Sequence, residues 1–154
     1  MITVCFICSG NICRSPAAAS ILRQLVIEHD LNDVTITSMG TLDIGSQPYD
    51  GVMSRIALNI GYQMTGTSTF MTNNVLIEAD LILVMTYTQM MEVRNVLPQH
   101  RWKTVKLFNQ FCFGKEVPVL DPSNMPETVY LQTFLWLQKG CKVIIQKLKN
   151  NSLE

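Results

Sequence analysis

The sequence predicts an α/β fold, a single domain in which a parallel sheet carries helices on both faces. Three observations lead there. Two short apolar runs, Thr3 to Ile7 and Asp80 to Met85, have the β-branched, uninterrupted character of strands buried on both sides. Segments with helical apolar spacing lie between and beyond them. A chain of 154 residues is long enough for one core and short for two, so residues 1–154 read as one domain.

The first strand, Thr3 to Ile7, leads directly to Cys8. A helix then starts near Pro16, with Ile21, Leu22, Leu25 and Val26 on its apolar stripe. Val34 to Ser38 is the next strand candidate, followed by a helix marked by Val52, Met53, Ile56, Ala57 and Ile60. After the strand Asp80 to Met85 come a helix from about Thr86 to Val96 and a strand candidate, Thr104 to Phe108. A long helix, Glu127 to Lys149, closes the chain with Leu131, Phe134, Leu135, Cys141, Ile144, Ile145 and Leu148 at its apolar positions. Alternating strands and helices favour a parallel sheet with right-handed crossovers. No linker, internal repeat or low-complexity stretch interrupts the pattern.

Composition narrows the function. Hydrophobic residues make up 47% of the chain and charged residues 16%, a balance that favours a packed core over disorder. Lys plus Arg and Asp plus Glu are 12 each, so nothing points to nucleic acid or an anionic membrane as partner, and any anion site must be local. The apolar opening lacks a basic leader and breaks at Ser9 and Gly10, too early for a signal peptide or membrane span, which places the expected location in the cytoplasm. Five cysteines, an odd number, match neither zinc nor disulfide spacing and are expected as thiols, one of them reactive. His29 and His100 stand apart near helix ends, so no metal and no other cofactor is expected. Met85, Met90 and Met91 follow strand and helix spacing and read as core. The basic positions from Lys139 to Lys149 read as a solvated helix face, with partner binding as the alternative.

The chemistry concentrates in Cys8-Ser9-Gly10-Asn11-Ile12-Cys13-Arg14-Ser15-Pro16, a C-x5-R-S loop between the first strand and the first helix. A loop wrapped around phosphate must turn successive N–H groups inward, which requires unusual backbone angles that Gly10 and Asn11 tolerate. Ser15 suits a helix cap and Pro16 the first turn, so the positive end of the helix would face the loop. That field and a guanidinium favour ionisation of a thiol at Cys8 below the ordinary value of about 8.5. Arg14 offers a planar fork to two phosphoryl oxygens. The expected phosphate-binding set is therefore Ser9, Gly10, Asn11, Ile12, Cys13, Arg14 and Ser15, with the Ser15 hydroxyl also available to the Cys8 sulfur when that sulfur leaves. The Cys-to-Arg spacing alone is a weak signal; the strand, the permissive residues and the helix start give it weight.

These residues resemble the low-molecular-weight protein tyrosine phosphatases, whose signature runs from an apolar strand into C-x-G-N-I-C-R-S-P. Val4 to Pro16 carry the match, which continues through Ser38-Met39-Gly40-Thr41, Asp80 to Met85 and Asp121-Pro122. The resemblance implies a four-stranded parallel sheet flanked by helices, the phosphotyrosine phosphatase I-like fold. It also implies hydrolysis of phosphotyrosine on proteins, with Cys8 forming a phosphocysteine, Asp121 acting as general acid and then base, and inorganic phosphate released. The plain alternative for Asp121 is a turn-forming residue before Pro122. By the same resemblance Asn11, Ser15 and Ser38 brace the loop, and Cys13 can capture an oxidised Cys8 as a disulfide. The plain alternatives are a strand-end polar residue for Ser38 and a space-filling one for Cys13. A monomer is expected.

The sequence departs from the family where substrate is gripped. Ser123 and Asn124 stand where many members have adjacent tyrosines, and the segment after Gly40-Thr41 lacks a tryptophan, leaving Leu42 and Tyr49 as candidates for an apolar wall. Thr86 stands where many members have Asp, and no His lies near Thr65 to Phe70, so part of the loop bracing must differ. Ile12 favours an aromatic ring over a guanidinium, where relatives acting on phosphoarginine usually carry Thr; such a contact discriminates by about 1–3 kcal/mol. Three other functions compete. A phosphoarginine phosphatase would use the same nucleophile. An arsenate reductase would need a close cysteine pair downstream, whereas Cys112 and Cys141 are far apart in sequence. A non-catalytic phosphoprotein-binding module would follow from a misplaced Asp121.

Overall fold

Four strands lie side by side and parallel: β1 (Ile2–Cys8), β2 (Val34–Gly40), β3 (Leu81–Val84) and β4 (Val105–Leu107). This computed structural model describes all 154 residues. The spatial order is β2-β1-β3-β4. The chain therefore leaves β1 toward one edge and returns past it to build the other half of the sheet. In open α/β sheets that reversal opens a crevice at the carboxyl ends of the two diverging strands. Here those ends are Cys8, the last residue of β1, and Met85 and Thr86, which follow β3.

The helices are α1 (Arg14–Glu28), α2 (Gly51–Ile60), α3 (Asn73–Glu78), α4 (Tyr87–Val96), α5 (Phe108–Phe113) and α6 (Glu127–Lys149), with a 3₁₀ helix at Gln99–Thr104. Strand side chains alternate between two cores, as a period of two dictates. Val4, Phe6, Leu81 and Leu83 pack with Ile21, Leu22, Phe108, Phe134 and Ile144 from α1, α5 and α6. Cys5, Ile7, Ile82 and Val84 pack on the other face with Leu76 of α3 and Met90 and Val93 of α4. Coverage of both faces explains the unbroken apolar runs, each fully buried aliphatic side chain contributing about 1.5–3 kcal/mol. Close approach of α6 to α5 depends on Gly140, where a Cβ would lie 2.3 Å from the Phe108 ring.

Several expectations change at the edges. The first two strands run longer than their apolar centres, to Cys8 and Gly40, and the other two are shorter. Phe108 opens α5 rather than ending a strand, because edge strand β4 pairs with β3 only as far as Leu107. The short α3, α5 and 3₁₀ helix are six residues each, too few to show a helical period. Thr86 lies outside α4 and caps it: its hydroxyl accepts from Gln89 N–H while the Gln89 side chain accepts from Thr86 N–H. Met91 is exposed beside buried Met90, and Leu135 beside buried Phe134, because successive helical residues point about 100° apart. Ile60 and Leu131 are likewise exposed rather than core. Part of the basic face of α6 is stacked on aromatics: Lys147 Nζ lies 4.9 Å from the Phe111 ring centre and Lys139 Nζ 5.8 Å from that of Trp136. His29 caps the end of α1 and His100 lies in the 3₁₀ helix, both exposed. No helix is long and apolar enough to cross a membrane.

Candidate active site

Cys8 ends β1 and is almost fully buried. The chain then loops for five residues, and α1 begins at Arg14 with Cys13 in the cap position. This corrects the expected helix start. Ser15 lies inside the first turn rather than capping it, and no side chain caps α1. Its hydroxyl is directed into the loop instead, 2.9 Å from Cys8 Sγ. Asn11 Nδ2 donates to Ser15 Oγ at 2.8 Å, which occupies a lone pair of that oxygen and leaves its proton for the Cys8 sulfur.

Asn11 has no exposed surface and adopts left-handed backbone angles, with φ 55°. Its side chain is fully used. Nδ2 also donates to Ser38 Oγ at 3.0 Å, and Oδ1 accepts from the Thr69 N–H at 2.9 Å. A backbone amide thus sits in the bracing network of a chain without a nearby histidine. Gly10 does not take a positive φ, contrary to expectation; a Cβ there would come within 3.0 Å of Ile12 Cγ1, so the need is for space. The loop is also pinned through its backbone. Leu42 N–H donates to Ser9 O at 3.0 Å and Asp50 N–H to Ile12 O at 2.8 Å. Asp50 caps α2 as well, and accepts from the Tyr130 hydroxyl at 3.3 Å.

With the carbonyls held outward, the N–H groups of Ser9 to Cys13 donate to no other backbone group. Five consecutive free donors before a helix N-terminus are the kind of arrangement that can accept an anion. Arg14 completes it: Nη1 donates to Val119 O at 3.0 Å, and Nη2 lies 3.7 Å from Asp121 Oδ2. Asp121, half exposed, accepts from Ser123 N–H at 3.1 Å in a turn of its own loop. Cys8, Ser9, Gly10, Ile12, Cys13, Arg14, Asp121 and Ser123 line one cavity of about 130 Å³. A larger cavity of about 410 Å³, lined by Arg23, Thr37, Ser38 and Tyr49 among others, has no cysteine in its lining. The small cavity has the scale and chemistry for a tetrahedral anion.

Tyr49 does not wall this cavity, since its hydroxyl faces Gly66 and its ring lines the larger one. Leu42 does not line it either; Ile44 approaches Gly10 instead, 3.6 Å from where a Cβ would stand. Cys13 is buried beneath the loop, and its thiol is pushed well up from the ordinary value, chiefly by burial and then by Asp50 and Cys8, which holds it neutral. Cys112 and Cys141, distant in sequence, are drawn together by α5 and α6: Cys112 Sγ lies 3.4 Å from Gly140 O. Burial raises both thiols, and neither lines the Cys8 cavity. Sequence reasoning missed Asp50, Thr69, Gln89 and Val119. The Thr86–Gln89 capping spacing and Asp50 at the head of the α2 apolar pattern were signals within reach of the sequence.

Comparison with known proteins adds to this geometry. A model of the family described as low molecular weight phosphotyrosine protein phosphatase matches residues 3–153. The low molecular weight protein-tyrosine-phosphatase PtpA of Staphylococcus saprophyticus is 33% identical over 150 residues, covering 94% of this chain and 92% of its own. A crystal structure of a low molecular weight phosphotyrosine phosphatase from Vibrio cholerae superposes with a TM-score of 0.91 at 26% identity, covering 98% of this chain and 99% of that one. The arginine phosphatase YwlE of Geobacillus stearothermophilus shares the fold with a TM-score of 0.89 at 22% identity, covering 99% and 96%.

Proposed function

The chain belongs to the low molecular weight phosphotyrosine protein phosphatase family, and on that premise we propose that it hydrolyses phosphotyrosine on proteins with Cys8 as nucleophile, Arg14 and the loop amides as phosphate binders, and Asp121 as general acid and base. The phosphoryl group sits in the cavity with its oxygens on the Ser9 to Ser15 loop and the Arg14 fork. Cys8 Sγ attacks phosphorus, the bond to the phenol oxygen breaks, and Asp121 gives that oxygen its proton. The product of this half-reaction is a phosphocysteine. Water then attacks phosphorus, Asp121 takes its proton, and the sulfur leaves with the electron pair, steadied by the Ser15 hydroxyl. Inorganic phosphate is released.

The observation that carries this reading is the cavity where the Cys8 sulfur, the unpaired Ser9 to Cys13 amides, Arg14 and Asp121 meet. Asn11 and Ser38 serve as braces, and Cys13 as the partner that would trap an oxidised Cys8. Ile12 on the cavity wall supports an aryl substrate over a guanidinium. In this reading the chain acts as a single-domain monomer in the cytoplasm, with phosphoproteins as partners and neither nucleic acid nor membrane involved, in keeping with its balanced charge. The test compares an aryl phosphate, a phosphotyrosine peptide and phosphoarginine as substrates of the wild type and Cys8→Ser. Turnover of the phosphotyrosine peptide that vanishes in Cys8→Ser supports the proposal; faster turnover of phosphoarginine overturns its substrate.

A further inference from the structure

Gln89 has no part in the chemistry above, yet it is only 1% exposed and all of its polar atoms are engaged. Oε1 accepts from Met85 N–H at 2.9 Å and from Thr86 N–H at 3.1 Å. Nε2 donates to Ser9 Oγ at 3.1 Å, across 80 residues of sequence. The first two bonds anchor the side chain to the end of β3 and the start of α4. The third ties it to the residue after the nucleophile.

Met85 extends the connection. Its carbonyl accepts from Val119 N–H at 2.9 Å, and Val119 O in turn accepts from Arg14 Nη1 at 3.0 Å. One continuous chain of hydrogen bonds therefore runs from Ser9 through Gln89, Met85 and Val119 to the Arg14 guanidinium. Its two ends are the first residue of the phosphate loop after the sulfur and the loop's only guanidinium. On the opposite flank the loop is held through Asn11 by Ser38 and Thr69 and through Ser9 O by Leu42, residues of β2 and the loops beside it.

We propose that Gln89 is a positioning residue for the phosphatase reaction, holding Ser9 and the Arg14 seat in mutual register from the β3–α4 side. The inference rests on the function proposed above. Gln89 does not line the Cys8 cavity, so it acts through Ser9 and Met85 and not on the phosphoryl group; it fixes the direction of the first loop amide and the height of the guanidinium. Sub-ångström displacement of such donors costs transition-state stabilisation before it costs folding.

The experiment uses Ser9→Ala, Ser9→Thr, Gln89→Leu and the Ser9→Ala/Gln89→Leu double variant, measuring kcat and KM for an aryl phosphate, the inhibition constant of inorganic phosphate and thermal unfolding. Ser9→Ala removes the acceptor but leaves the α4 cap intact, so it should lower kcat by about 5- to 30-fold and weaken phosphate by several-fold, with a smaller fall in Tm than Gln89→Leu. Ser9→Thr, which keeps the hydroxyl, should restore most of the activity. Gln89→Leu should also lower Tm through the lost cap, and the double variant should be no slower than Gln89→Leu alone. Ser9→Ala with wild-type kcat and phosphate affinity, or additive losses in the double variant, would overturn the inference. A wild-type protein inactive on aryl phosphate, or a Cys8→Ser variant that retains turnover, would instead sink the function on which it rests.

Discussion

Arg14 Nη2 and Asp121 Oδ2 lie 3.7 Å apart across a crevice whose two walls are separated by more than a hundred residues of chain. The contact joins the guanidinium expected to bind the phosphoryl group to the carboxyl expected to serve the leaving oxygen. Because Asp121 is half exposed, the pair adds little stability, about 0–1 kcal/mol. Its consequence is geometric: both side chains address one cavity.

Removing the carboxyl should therefore expose a dependence on the leaving group. Asp121→Ala is expected to slow kcat about 10²- to 10³-fold for a phenyl phosphate with a poor leaving group, and less than about 10-fold for a nitrophenyl phosphate. Steady-state rates across a series of substituted aryl phosphates check this. A uniform loss along the series would remove Asp121 from the acid role.

Arg14→Lys keeps the charge but loses the fork that reaches both Val119 O and the cavity. A point charge cannot replace two directed donors, so kcat/KM should fall by about 10²-fold or more while the fold survives. Circular dichroism alongside kinetics separates the two effects.

Two glycines should separate loop placement from core packing. At Gly40 a Cβ would meet Ser9 O at 2.6 Å and Asn11 N at 3.0 Å, so Gly40→Ala pushes on the phosphate loop itself. At Gly140 the obstacle is the Phe108 ring, in the core. Both should cost about 1–3 kcal/mol in urea unfolding. Only Gly40→Ala should also lower kcat/KM by more than about 10-fold, as loop misplacement implies.

Alkali should weaken the fold before acid chemistry explains anything. Burial raises Cys5 to about 11, and raises Cys13, Cys112 and Cys141 as well. A raised acid group keeps its proton longer when folded than when unfolded, so its stabilisation is complete below the unfolded value of about 9 and is lost as pH rises above it. Urea midpoints should be flat between pH 7 and 8.5 and fall steadily from pH 9 to 11. Cys5→Ala should make that fall shallower. A midpoint unchanged to pH 11 would mean that these thiols are not held neutral.

Much of the site was legible because it is written in consecutive residues. The order Cys8 to Pro16 encodes the strand end, the left-handed turn at Asn11 and the row of amides before a helix, all consequences of local backbone chemistry, although the helix itself starts two residues earlier than the Ser-Pro pair suggests. The β-branched runs likewise announced a sheet covered on both faces, and the alternation of elements its parallel course.

What tertiary structure decided is how the loop is held. Thr69 supplies a backbone N–H where no histidine exists, Gln89 reaches Ser9 across 80 residues, and Val119 seats Arg14 across 105. Each bond depends on where a crossover brings the chain back, and a main-chain donor or acceptor leaves no mark on residue type. Local sequence specified the donors for phosphate; the packing of distant segments against the β1–β3 crevice set their aim.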